Sequence, residues 1–215
     1  MVIAIDGPAG AGKSTVAKKI AQRLGFVYLD TGAMYRAFTL YVLDRNVDLD
    51  DHRSIELSLH DFHLNMNGGV IQVGNRDVTR DIRGARVNDT VSYISSLDFV
   101  RKKMVELQRQ MGENKQIVVE GRDIGTVVFP DTRHKFYLDA SVEERARRRL
   151  HDEKHQEKNQ NLSEVIGKIT KRDKYDSNRS LAPLAKALDA VYVDSTGMTI
   201  DQVCEYIVQR VREKQ

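Results

Sequence analysis

The chain has 215 residues, 34 Lys plus Arg against 31 Asp plus Glu for a net charge of +3, and is 40% hydrophobic and 30% charged. That length suits one large α/β domain with a small insert, and the charge balance is too mild to argue for a nucleic-acid or anionic-membrane partner. A single cysteine, Cys204, excludes an intrachain disulfide; with no apolar run near 18 residues and no signal peptide, the expected location is cytoplasmic.

The apolar run Val2-Ile3-Ala4-Ile5-Asp6 predicts a first strand. It leads into Gly7-Pro8-Ala9-Gly10-Ala11-Gly12-Lys13-Ser14, which fits G-x-x-x-x-G-K-[ST], the P-loop pattern. Val16, Ala17, Ile20 and Leu24 follow at helical spacing and Gly25 closes the turn, so a helix is predicted over 13–24. Glycines let backbone N–H groups converge on phosphate oxygens, and the helix N-terminus adds partial positive charge. Residues 7–15, from Gly7 through Thr15, are therefore expected to hold a nucleoside triphosphate. Lys13 would reach its β- and γ-phosphates, and the Ser14 hydroxyl would ligate Mg²⁺.

Further apolar segments at 26–30, 116–120, 134–139 and 190–194 alternate with amphipathic ones at 33–45, 84–96, 98–112, 141–155, 162–176 and 199–213. This alternation predicts a parallel sheet flanked by helices. Ser141 with Glu144 reads as a capping box opening one helix. Cys204 shares a helical stripe with Ile200, Val203, Ile207 and Val211, so a buried structural thiol is expected. One stretch breaks the alternation: residues 62–66 and 70–73 flank Asn67-Gly68-Gly69 as a β-hairpin, with a third short strand expected at 74–78. Such an insert suits substrate selection. The polar stretch 152–161 has no core periodicity and reads as a solvated loop or as a mobile lid.

If the acceptor is itself a phosphate, its oxygen is already anionic and no general base is required. The task is then to neutralise two polyanions, for which arginine is best suited. Four segments supply cations. Thr31 and Arg36 lie one turn apart after the second strand; Glu120-Gly121-Arg122-Asp123 ends a buried strand at the carboxyl edge of the sheet. Glu120 stands where a P-loop enzyme keeps its carboxylate near Mg²⁺. In Glu143 to Arg149, a Glu144–Arg148 pair would leave Arg145 and Arg149 for another face. Arg172, Asp176 and Arg179 would form a cation–anion–cation stripe on a continuing helix. The six histidines show no metal-ligand spacing.

At these residues the chain resembles the bacterial cytidylate kinases essentially end to end. The resemblance rests on GPAGAGKS, LDTGAMYR, the hairpin insert, EGRDIGTVVFPD, ERARRR, RDKYDSNR with Leu181-Ala182-Pro183-Leu184, and Asp194-Ser195-Thr196. It implies a P-loop NTPase core with a five-stranded parallel sheet (about 1–30, 97–148 and 180–215). To this it adds a monophosphate-binding lobe (about 31–96) with a small antiparallel sheet, and a short lid (about 149–163). It also implies ATP as donor, CMP or dCMP as acceptor, Mg²⁺ as cofactor, and no covalent intermediate. Carried over by position, Arg36, Arg122 and Arg179 would clamp the CMP phosphate. Thr31, Ser92, Arg101 and Asp123 would line the cytosine site, with Arg172 and Asp176 near the sugar and Arg145 and Arg149 on the lid side. Only the resemblance singles out Ser92 and Arg101. Glu120 replaces an aspartate and Thr31 a serine of other members. A monomer is expected. The competing readings are a P-loop kinase for another nucleotide or a shikimate-like acceptor, a GTPase-like switch, and a nucleic-acid-associated ATPase; Asn114-Lys115-Gln116-Ile117 lacks the aspartate of a guanine motif.

Overall fold

In the computed structural model, residues 1–151 and 161–213 are described. Five of the described strands form one parallel sheet: β1 (Val2–Asp6), β2 (Val27–Asp30), β6 (Ile117–Gly121), β7 (His134–Asp139) and β8 (Val191–Asp194), in the order β2-β6-β1-β7-β8. The inner strands β1 and β6 are short, almost fully buried and rich in Val and Ile, as strands covered on both faces must be. Registers pair Asp6 with Gly121 and Tyr137, and Asp30 with Glu120, so the carboxyl ends of β1, β2 and β6 bring charged side chains to one edge.

The chain divides into two compact units, residues 1–30 with 108–215, and residues 31–107. In the first, helices α1 (Lys13–Leu24) and α8 (Ile200–Glu213) cover the sheet. Val16, Ala17 and Ile20 pack with Val203, Cys204, Ile207 and Val211 against Ile3, Ile5, Val118, Phe136 and Leu138. Cys204 is buried and its thiol is pushed up by that burial, as expected of a structural thiol; Ile200, predicted on the same stripe, is exposed. Helices α6 (Val142–His151) and α7 (Leu162–Ser177) pack Ala146, Val165 and Ile169 around Ala9 of the P-loop.

The second unit holds α2 (Thr31–Asp44), α3 (His52–Ser58), the antiparallel strands β3 (Leu64–Asn67), β4 (Val70–Val73) and β5 (Arg76–Asp77), and α4 (Ala85–Ile94). The boundary between the units falls inside α5 (Asp98–Gly112). Helix α2 is buried on nearly every side, and Phe38 and Tyr41 meet the Phe62 ring at 5.1 and 5.4 Å between centroids.

Several local expectations change. Helix α3 was not anticipated because seven residues with a single buried side chain, Ile55, carry no period. It is started by Asp51, whose carboxylate accepts from Ser54 N at 3.1 Å. At α6 only half of the capping box forms. Ser141 Oγ accepts from Glu144 N (3.2 Å), but Ser141 N donates to Thr196 Oγ1 (2.9 Å) and the Glu144 carboxylate turns to Arg148. The reciprocal box stands instead at Asn161 and Glu164, opening α7. Helix α7 ends at Ser177, so Arg179 lies beyond it and not on a continuous stripe. Most of the stretch read as a lid, residues 152–160, lies outside the described residues. Among the described residues no helix is long and apolar enough to cross a membrane.

Candidate active site

The P-loop closes through backbone conformations that only glycine adopts without strain. Gly7 has φ +150°, and a Cβ there would come within 2.0 Å of the Leu138 carbonyl oxygen; Gly10 has φ +77° and lies against the Arg145 backbone. Lys13 curls back over the loop, donating to the Pro8 carbonyl at 2.7 Å. Its ammonium is pushed down to about 7, first by burial and then by the Arg122 guanidinium. The loop opens on a cleft of about 480 Å³ lined by Gly12, Lys13, Ser14, Arg148, Arg149 and Ser195. A larger cleft, about 970 Å³, lies at the N-terminal ends of β1, β6 and β7, away from the phosphate-gripping loop.

Ser14 Oγ donates to Glu120 Oε1 at 2.5 Å. Burial, followed by the neighbouring Asp30, pushes the Glu120 carboxyl up against the pull of Lys13 and Ser14. One hydroxyl and one carboxylate offer hard oxygen donors, and Mg²⁺ takes its remaining oxygens from phosphates and water. The residues present fit that ion.

Asp176 organises the cations. Arg122 Nε donates to its Oδ2 at 2.9 Å, and Arg179 Nη2 donates to its Oδ1. Burial alone would raise the Asp176 carboxyl, but the Arg122, Arg179 and Arg172 guanidiniums outweigh it and hold the group below the usual carboxylate range. Asp123 follows Arg122, buried at the head of a π-helical turn over Ile124–Val128.

The arginines of α6 divide in a way their spacing did not show. Arg145 is buried: Nε donates to Ala140 O (3.1 Å), Nη1 to Ala9 O (2.8 Å) and to Asp173 Oδ2 (2.5 Å). Asp173 in turn accepts from Ala9 N at 2.9 Å, so α6 and α7 grip the P-loop backbone from outside. Arg148 pairs with Glu144 as expected (3.0 Å), and also donates to Ser195 Oγ (2.9 Å) and Ser195 O (2.7 Å). Arg149 lines the P-loop cleft. Asp173 and the Arg148–Ser195 contacts were missed because their partners lie far off in sequence, although Asp173 stands between two residues that were singled out.

In the 31–107 unit, Arg36 is buried, with Nη1 donating to Asn88 Oδ1 (2.6 Å) and Ile82 O (3.2 Å). Arg101 is buried too, donating to Ser95 O at 3.0 Å beneath the Tyr35 ring, whose centroid is 5.3 Å from its guanidinium carbon. Thr31 begins α2, and Ser92 is half-buried on α4.

Asp6, at the end of β1, accepts from Ile124 N and Gly125 N, both at 2.8 Å. Burial nevertheless pushes its carboxyl up to about 7. A folded-state value above the ordinary 3.8 means that its contribution to stability is full below about pH 4 and is lost as pH rises through 7. The shift corresponds to about 4 kcal/mol at most. Urea unfolding of wild type and Asp6→Asn at pH 5 and pH 8 is expected to move the difference towards the variant at the higher pH. A difference constant with pH would contradict this.

A P-loop with a carboxylate facing its serine, and arginines fixed on a buried aspartate, defines a P-loop kinase. An uncharacterised protein from Eubacterium ventriosum shares this fold, with TM-score 0.57 at 12% identity over 99% of this chain and 98% of that one. Residues 3–213 match the cytidylate kinase family. The cytidylate kinase of Fusobacterium nucleatum is 43% identical over 99% of this chain and 98% of its own length, and that of Halalkalibacterium halodurans is 47% identical over 100% and 98%. The chain belongs to the cytidylate kinase family and is a nucleoside monophosphate kinase.

Proposed function

We propose that the chain transfers the γ-phosphoryl group of ATP to CMP or dCMP, giving ADP and CDP or dCDP. The observation that carries this reading is the Arg122–Asp176–Arg179 cluster. It offers two fixed guanidiniums, more than a hydroxyl acceptor such as shikimate needs, and suited to an acceptor that is itself a phosphate. The names of the two relatives favour cytidylate.

In the proposed step, an anionic oxygen of the acceptor phosphate forms a bond to the γ-phosphorus as the bond to the β–γ bridging oxygen breaks, in line. ADP leaves with the electron pair, and no side chain is phosphorylated. The acceptor oxygen carries no proton, so the step requires no general base. Lys13 and the P-loop N–H groups hold the donor phosphates, and Arg149, on the wall of the P-loop cleft, adds positive charge as charge spreads over the transferred group. Arg36, Arg122 and Arg179 grip the acceptor phosphate, with Arg172 and Asp176 towards the sugar. Arg145 acts through the P-loop backbone that it holds. Ser14 and Glu120 would hold Mg²⁺, which supplies charge neutralisation on the phosphates when bound.

Thr31, Ser92, Arg101 and Asp123 are assigned to the base. Cytosine presents an exocyclic amine from which the buried Asp123 carboxylate accepts, whereas uracil presents a carbonyl there and would set acceptor against acceptor. Steady-state rates should favour CMP strongly over UMP in the wild type, with the ratio falling at least about tenfold in Asp123→Asn. An unchanged ratio would remove Asp123 from this role.

A further inference from the structure

We propose that Asp6 is a positioning residue for acceptor discrimination: its carboxylate caps the turn after Asp123 and thereby sets where Asp123 stands. The inference rests on the assignment of Asp123 to the acceptor base.

The π-helical turn folds back onto Asp123. Val127 N and Val128 N donate to the Asp123 carbonyl at 2.8 and 3.1 Å, and Phe129 N donates to Ile124 O at 2.7 Å. The first N–H groups of such a turn have no partner within it and need an outside acceptor. An aspartate at the head of a turn ordinarily supplies that acceptor itself. Asp123 occupies the head, yet its side chain makes no cap. The capping is done from β1, where each oxygen of Asp6 takes one N–H, Ile124 on Oδ1 and Gly125 on Oδ2. On its other side the turn packs on Lys135: a Cβ at Gly125 would lie 3.1 Å from that side chain and in ordinary contact, 3.4 Å, with Asp6 Oδ2. Lys135 anchors the far side, donating to Pro130 O at 2.6 Å and to Asp189 at 2.8 Å.

The division of labour has a chemical reason. A carboxylate committed to its own turn would have its oxygens aimed at backbone N–H groups. With capping moved to Asp6, the Asp123 side chain is not held by its own turn, while the backbone that carries it is held by Asp6. Asp6 also precedes Gly7 directly, so a role in shaping the P-loop is the competing explanation, and the two predict different kinetics.

The test compares wild type, Asp6→Asn and Gly125→Ala. The first keeps the shape of Asp6 but turns an N–H₂ towards a backbone N–H; the second leaves Asp6 intact and crowds the same turn against the Lys135 side chain. Each is assayed for KM and kcat with ATP and with CMP, UMP and AMP, alongside amide hydrogen exchange at Ile124 and Gly125. Both variants are expected to weaken whichever monophosphate preference the wild type shows by about tenfold and to raise the acceptor KM, with the ATP KM within about twofold. Exchange at the two amides should quicken. A raised ATP KM with the preference intact would overturn the proposal in favour of the P-loop role, and so would faster exchange with no kinetic change. A wild type that prefers another monophosphate overturns the CMP assignment alone, since the variants are then read on that acceptor; a wild type with no preference overturns both.

Discussion

Replacing Lys13 with methionine is expected to lower kcat about 1000-fold while leaving the unfolding temperature unchanged or slightly raised. Lys13 is 5% exposed and sits against the P-loop carbonyl of Pro8, where burial and Arg122 both disfavour its charge. A group held in this way destabilises the free protein and acts when donor phosphates supply the negative charge that the site lacks. Removing one preorganised donor of this type typically costs 100- to 1000-fold in rate, about 3–4 kcal/mol. Methionine has similar length and no charge to bury, so the fold should tolerate it. Steady-state kinetics and a thermal melt on one preparation decide the matter. A drop of less than tenfold, or a melt lowered by many degrees, would show that Lys13 serves mainly structure.

The opposite pattern is expected at Asp176. Its side chain is 2% exposed and accepts from two arginines. Asp176→Ala leaves both cations facing each other without their shared anion, and breaking a buried pair in this way costs about 3–5 kcal/mol. For a chain of this size that lowers the melting temperature by about 10 °C. Acceptor KM should rise as well, since Arg122 and Arg179 lose the group that fixes them. Because the Asp176 carboxyl is held below its ordinary 3.8, the stability it contributes is present above about pH 4 and is lost as pH falls through its folded-state value. The gap between wild type and variant should therefore be flat from pH 8 to 5 and narrow below pH 4. A gap of less than 1 kcal/mol at pH 7 would show that the arginines need no anion.

Features written in consecutive residues were readable in advance. The P-loop, the five core strands and the hairpin are local, since turn glycines, apolar runs and helical spacing announce them without reference to distant residues. The charged end of β6 was readable because a buried strand finishing in Glu-Gly-Arg-Asp has few other uses. What escaped depends on tertiary partners. Arg122 and Asp176 are 54 residues apart, and spacing alone suggested a helical stripe that the end of α7 at Ser177 interrupts. Arg145 was read with Arg149 as a ligand-facing, lid-side cation, yet three oxygens outside its helix take it inside. Asp6 read as the last residue of a strand; its partners are 118 and 119 positions away. Arg101 is a buried cation whose charged helix resembles an ordinary surface helix in sequence.

Transfer of label from γ-³²P-ATP tests the central claim most directly, with CMP, dCMP, UMP, AMP, shikimate and single-stranded DNA supplied in turn in the presence of Mg²⁺. The account predicts label in CDP or dCDP in equal amount to the ADP formed, with little product from the other acceptors. Label appearing chiefly as inorganic phosphate whatever the acceptor, or stimulated by shikimate or DNA, would contradict it.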